Sequence, residues 1–274
     1  MIRLKVPNVH RWIILGSSVS ALLLGFVFIA IPAHREVRRS QNMVNCRQQI
    51  YANALSVQDY QYSEDRFRSH TKQPFYGNKE TGEEYWSWRV SFLSHFEPYH
   101  SKNQFRFDEP WNSEYNFPLL KETDVARHFT CPCEYPKDKR ASYVAVKGPG
   151  TFWTEMQNGN LPGEFYDYKD TIIIIETSEP KNFWAEPGDD VSPEDVVRLY
   201  NTDPGLVKNS QNSSESGYSH WPKHFVTAIG DVKGFDTIKN VEELKKRLVI
   251  SQEMIEHVKV EVQLRNEKDI YLND

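Results

Sequence analysis

His128, Cys131 and Cys133 stand within six residues of one another, and imidazole and thiol groups at that spacing resemble half of a zinc site. A structural zinc takes four ligands and no second pair stands nearby, so no metal is expected there. Cysteines in an oxidising compartment pair with each other instead, and three of them permit one disulfide with one thiol left over. The stretch Val146-Lys147-Gly148-Pro149-Gly150-Thr151 has the outline of a phosphate loop. It lacks a Lys-Ser/Thr pair after the glycines, and Pro149 removes an amide donor, so a plain turn is expected. Glu176, Glu186, Asp189 and Asp190 could furnish paired carboxylates, yet no spacing rule ties them together, and they read as a solvated acidic loop. A hydrolase built on Glu176 or Glu186 would need a partner residue, and none is identifiable. Without a nucleophile elbow, a Cys–His signature or a His-Glu-x-x-His motif, the chain is expected to have no catalytic residue and no cofactor. Three of the seven tryptophans, Trp153, Trp184 and Trp221, flank expected loops and could stack on sugars. Core packing is the other fate open to each ring.

The elements that would hold these groups are legible in part. Thr171–Glu176 (TIIIIE) is a β-branched run short enough for a buried strand. Strands are also expected over Ala141–Lys147 and His224–Ile229, with Gly230-Asp231 where a tight turn belongs. Ser192-Pro193-Glu194-Asp195 carries an N-cap serine, a proline at the first helical position and acids in the first turn. Val90, Phe92, Leu93 and Phe96 fit a short buried helix within an aromatic block, and Asp108–Lys121 reads as a turn and a short helix with Trp111, Leu119 and Leu120 inward. Residues 203–219 read as a loop, and Val241 to about Val260 as one helix or a pair.

Ahead of all this, Ile13–Ile31 is an uncharged run of 19 residues bracketed by Trp12 and Pro32. As a helix it would be about 28 Å long, close to the hydrocarbon thickness of a bilayer. A cleaved signal peptide would want a shorter apolar core and a better small-x-small site than Ile31-Pro32-Ala33, so a retained single-pass anchor is expected over residues 12–32. Arg3, Lys5 and Arg11 precede it and Arg35, Arg38, Arg39 and Arg47 follow, which leaves orientation undecided by charge. No Gly or Pro interrupts residues 33–65, where Met43, Cys46, Ile50, Ala54 and Val57 share one helix face. One long helix is expected, with a kink at Pro32; two separate helices broken at Pro32 are the alternative. The remaining residues, 66–274, would form a head. Net charge −5 and pI about 6.0 argue against nucleic acid as a partner.

The order of motifs adds a family. Pro32-Ala33, Arg35-Glu36-x-Arg38-Arg39, Cys46-Arg-Gln-Gln, Ser87-Trp88-Arg89-Val90 and Asp108-Glu109-Pro110-Trp111-Asn112-Ser113 come in sequence. Phe129-Thr-Cys131-Pro132, Ser142–Val146, Gly148–Thr151, Thr171–Glu176 and Trp184-Ala185-Glu186-Pro187 follow. Together they resemble a bacterial family of pilin-like proteins, a domain of unknown function ending in an H-x9-DG motif and related to type II secretion pseudopilins. The resemblance implies a short cytoplasmic stub (residues 1–11), an inner-membrane helix and an α+β head in the periplasm with an antiparallel sheet. It implies a structural or assembly role rather than an enzyme, with the bilayer and other pseudopilin-like or secretion-system proteins as partners. An envelope binding module on the same fold is the alternative. It also implies a disulfide between Cys46 and Cys131, which match cysteines of the family, whereas Cys133 has no counterpart. The chain departs from the pattern where a prepilin carries its cleavage site and helix glutamate, positions held here by His10, Arg11 and Leu15. The tail motif is transposed: His220 is followed by Gly230-Asp231 where the family has Asp-Gly.

Overall fold

In the computed structural model the described residues are 9–62, 77–78, 83–96, 104–131, 139–158, 165–177, 182–202 and 224–272. His220, Cys133, Trp221 and the expected loop at 203–219 lie outside them. The chain divides into two compact units, Met1–Val44 and Asn45–Asp274.

Helix α1 runs from Val9 to Tyr62 and passes through Pro32 without a break. A proline costs an interior helix one backbone hydrogen bond, which the neighbouring turns of so long a helix tolerate. Side chains before Gly25 are outside the described residues, and with them Trp12, Ile13 and most of the expected anchor. Ile31 and Pro32 are described and exposed, as are Phe26, Phe28 and Ile29. Among the described residues no helix is long and apolar enough to cross a membrane. Further along α1, Cys46, Ile50, Ala54 and Val57 are buried at helical spacing. Met43, expected on the same face, is 44% exposed, so the buried stripe begins one turn later.

In the second unit a four-stranded antiparallel sheet runs in sequence order. A two-residue ladder, β1 (Gly77–Asn78) with β2 (Glu83–Glu84), precedes it. The sheet strands are β3 (Tyr143–Ala145), β4 (Ile172–Glu176), β5 (His224–Thr227) and β6 (Val232–Gly234). β3, β4 and β5 are each shorter than expected from sequence, while β6, which follows the expected turn, had no strand expectation of its own. All five residues of β4 are buried, which is why it reads as an unbroken apolar run. Its pairing with β5 shifts between Ile172 and Ile174, an irregularity that inserts Ile173. An extra residue breaks strict alternation. Ile173 and Ile174 therefore both enter the core that includes Cys46, Ile50 and Ala54, while Ile172 and Ile175 enter the opposite one.

Helices cover both faces. With α1 on the first lie α4 (Phe152–Asn158), through Phe152, Trp153 and Met156, and α7 (Gln252–Leu272), through Ile255 and Val258. The second face carries α5 (Pro193–Thr202), through Val196 and Tyr200, and α6 (Val241–Leu248), through Leu244 and Leu248. The expected cap of α5 is present: the Asp195 amide donates to Ser192 Oγ at 3.1 Å. Val249–Ser251 separates α6 from α7, making a helix pair of the segment.

A third cluster gathers the 3-10 turn Trp88–Phe92 with α2 (Leu93–Phe96), and α3 (Asn116–Glu122) with the 3-10 segment Asp124–Phe129. Val90, Leu93, Leu120, Phe129 and Trp184 are buried in it, whereas Trp111 and Leu119 are only partly covered. The outer edge of β3 is met by Val191, in a parallel bridge to Val146, and by Phe183, in an antiparallel bridge to Arg140.

The Gly148–Thr151 stretch is the expected turn, closed by the Thr151 amide on the Gly148 carbonyl at 3.1 Å. At Gly150, φ is +74° and a Cβ would lie 2.7 Å from Val249 Cγ1. Only glycine fits that approach. Between β5 and β6, the Gly230 amide donates to the Thr227 carbonyl at 2.8 Å, and the Thr227 amide to the Asp231 carbonyl at 3.0 Å. Gly230 has φ +84°, the left-handed residue that ends a three-residue hairpin loop. Gly230→Val should destabilise the second unit by about 2 kcal/mol, because a β-branched residue is forced to positive φ. Asp231, half exposed and 3.1 Å from Lys233, joins a surface pair worth little, so Asp231→Asn should leave the urea midpoint within error. Equal effects of the two changes would remove the turn explanation.

Candidate functional site

The functional candidates are two buried charged clusters, one beside the edge of β3 and one at the end of β4.

Arg89 is fully buried within the 3-10 turn Trp88–Phe92. Its side chain lies against the Trp88 ring, with Cζ 5.0 Å from the centroid. Such a cation survives burial only when its donors are met. Nε donates to the Tyr143 carbonyl at 3.1 Å, and Nη2 to the same carbonyl at 2.5 Å and to Asp189 Oδ2 at 2.6 Å. Nη1 donates to Ser87 Oγ at 2.8 Å and to Asp189 Oδ1 at 3.1 Å. The guanidinium fork thus holds Asp189 bidentately while its back face ties to the backbone of β3.

Asp190, next along, faces Lys147 Nζ at 3.5 Å, and the same ammonium donates to Glu84 Oε1 at 2.7 Å. Burial, and secondarily the Asp189 charge, push the Asp190 carboxyl up to about 6, against the opposing pull of Lys147 and Arg89. Burial pulls the Lys147 ammonium down, but the Glu84 hydrogen bond and the Asp190 charge more than offset it, leaving it above its ordinary value. Asp190 Oδ1 is buried without a hydrogen-bond partner.

Because the folded Asp190 carboxyl lies above its unfolded value near 3.8, the folded chain binds this proton more tightly. Its contribution to stability is whole below about pH 4 and is lost as pH rises through 6. Two pH units correspond to about 3 kcal/mol. Asp190→Asn should therefore gain on the parent by up to about 3 kcal/mol between pH 4 and 7. Parallel urea midpoints for the two chains across that range would remove Asp190 as the titrating group.

The second cluster centres on Glu176, the last residue of β4 and 2% exposed. His224 Nδ1 lies 2.6 Å from its Oε2, whereas Oε1 is buried with no hydrogen-bond partner. Beside it Cys46 and Cys131 are joined in a disulfide, with Cα atoms 5.0 Å apart. The ligand atoms of Cys46, Cys131 and Glu176 all lie within 4.8 Å of one another. Hydrogen bonds hold the backbone of both cysteines: Tyr143 Oη donates to the Cys46 carbonyl at 3.1 Å, and the Cys131 amide to Ser142 Oγ at 3.0 Å. Asn53 Nδ2 of α1 donates to the His128 carbonyl at 2.7 Å, fixing the segment that ends in Cys131.

The groups singled out in the sequence are redistributed. Cys131 meets Cys46 and not His128, whose ring stacks on Phe96 at 4.7 Å. The expected solvated acidic loop is corrected: Glu176 is buried at the core, the Asp189 carboxylate is 5% exposed on Arg89, and that of Asp190 is 16% exposed beside Lys147. Glu186 stays local, accepting from the Phe183 amide at 3.0 Å. Trp153 and Trp184 are core residues, 1% and 0% exposed. Sequence reasoning missed Arg89, Lys147 and His224 as partners, since nothing local marks a contact made across 100 residues, as between Arg89 and Asp189.

The chain matches no protein-family model, no curated protein and no solved structure. What the molecule itself defines is a mixed α+β protein with a four-stranded antiparallel sheet and helices on both faces.

Proposed function

We propose that the chain is a membrane-anchored, pseudopilin-like envelope protein with a structural or assembly role and no enzymatic activity. One observation carries the reading. A single helix, α1, leaves Phe26, Phe28 and Ile29 exposed in its first half and buries Cys46, Ile50, Ala54 and Val57 in its second. Exposed aromatic and aliphatic side chains in series are stable against lipid and unfavourable against water. The uncharged run Ile13–Ile31 supplies the length of a bilayer span. The disulfide supports a head outside the cytoplasm, where such bonds persist. The order of motifs, in its resemblance to pilin-like proteins, supports the same orientation. Neighbouring anchors would associate laterally, and the small residues Gly16, Ser17, Ser20 and Gly25 suit close helix packing in lipid.

An envelope module that binds sugars through Trp153, Trp184 and Trp221 is less well supported, because the first two rings are fully buried. Protease added to spheroplasts tests the anchored reading. Digestion should remove the head and leave a short membrane-protected fragment containing Ile13–Ile31. A head protected until lysis, or a mature chain beginning after Ala33, would overturn it.

A further inference from the structure

We propose that Cys46, Cys131 and Glu176 form a second, metal-binding site in the dithiol form of the protein, suited to a thiophilic divalent cation such as zinc. This goes beyond the anchor reading and concerns the chain once its disulfide has been reduced. Three facts converge on it. The three side chains are buried, and their ligand atoms lie within 4.8 Å of one another. In a tetrahedral zinc–thiolate site, with Zn–S near 2.3 Å, neighbouring ligand atoms stand roughly 3.5–3.8 Å apart. Once the S–S bond is broken, that geometry needs only a small separation of the sulfurs.

The second fact is the bare carboxylate oxygen. Glu176 is 2% exposed, and Oε1 has no hydrogen-bond partner. A buried oxygen of this kind calls for a proton or a cation. The third is His224, whose Nδ1 lies 2.6 Å from Oε2 of the same carboxylate. An imidazole N–H on one oxygen orients the other, the usual support of a metal-ligating carboxylate by a neighbouring donor. Two thiolates and one carboxylate favour zinc or cadmium over calcium or magnesium, which take oxygen ligands alone.

The chemistry balances with an external dithiol as reductant. Two electrons and two protons pass to the disulfide as the reagent closes its own S–S bond, giving two thiols. The cation then displaces both thiol protons to solvent, takes Oε1 as third protein ligand and keeps one water as its fourth. It would tie α1, the Cys131 segment and β4 together, so the covalent bond and the metal are alternative clasps on the same elements.

The full-length protein carrying Cys133→Ser, which silences the remaining thiol, is the material for the test. Reduced with a phosphine under anaerobic conditions and cleared of reagent, it is titrated with cadmium, and thiolate-to-metal charge-transfer absorption is followed beside circular dichroism. One cadmium per chain is expected, with none bound by the oxidised protein. Glu176→Gln and His224→Ala should each weaken binding about tenfold or more. Absence of the charge-transfer band in a reduced chain that keeps its folded dichroism would overturn the proposal. So would undiminished affinity in Glu176→Gln, or binding only by chains that have lost the folded signal, because thiols alone would then account for it.

Discussion

Replacing Arg89 by methionine will cost the second unit about 3–5 kcal/mol, the largest loss expected from a single side chain. The guanidinium is fully buried and meets both oxygens of Asp189, itself 5% exposed, together with the Tyr143 carbonyl and Ser87. Its removal strands a carboxylate and a backbone acceptor in a medium that solvates neither. Arg89→Lys should fare little better, since an ammonium cannot span two carboxylate oxygens and a carbonyl in one plane. The pair Arg89→Met with Asp189→Leu should recover part of the loss, because well-packed apolar replacements of buried ion pairs are often neutral. Urea denaturation of the four chains separates these outcomes. A loss below about 1 kcal/mol for Arg89→Met would place Arg89 among ordinary surface arginines.

Cys46→Ala with Cys131→Ala is expected to lower stability by a similar amount for a different reason. The bond joins residues 85 apart in sequence. Closing a loop of that size removes about 4.5 kcal/mol of unfolded-state chain entropy in the cross-link model. The loss should appear mainly as an easier transition with little change in folded-state dichroism, since Asn53, Gln58 and Tyr143 still bond α1 to its surroundings. Alanine is the fair replacement, as a serine hydroxyl would be buried at both sites. An unchanged urea midpoint would mean that the unfolded chain gains no freedom when the bond is absent.

These two ties show where sequence stops informing. β4 was legible because Ile172–Ile175 are β-branched and consecutive. The start of α5 was legible because Ser192 and Pro193 act on backbone groups within one turn. Gly230 was legible as a turn because positive φ is a local requirement. Arg89 sits in an aromatic block and would pass for a solvated side chain, and only the docked Asp189 loop makes it a core residue. His224 opens a strand with no mark that Glu176 lies across the ladder. The exposure of Met43 is of the same kind: helical spacing assigns it to a face, but where the facing core ends is settled by tertiary packing.

The two sheet edges bear on solubility and on how copies can meet. An open ladder of unpaired amides and carbonyls invites strand addition and, eventually, fibres. At β3 the Lys147 amide donates to the Val191 carbonyl at 3.0 Å, and the Val191 amide to the Ala145 carbonyl at 3.0 Å. The chain has already capped that edge with itself. At the other end β6 is three residues long, carries Lys233 and closes on Gly234, and its Val232 carbonyl accepts from Arg47 Nη2 at 3.1 Å. A short, charged, partly occupied edge is a poor template for a further strand. Copies crowded side by side would resist growing a shared ladder, and any contact between them would fall to side chains.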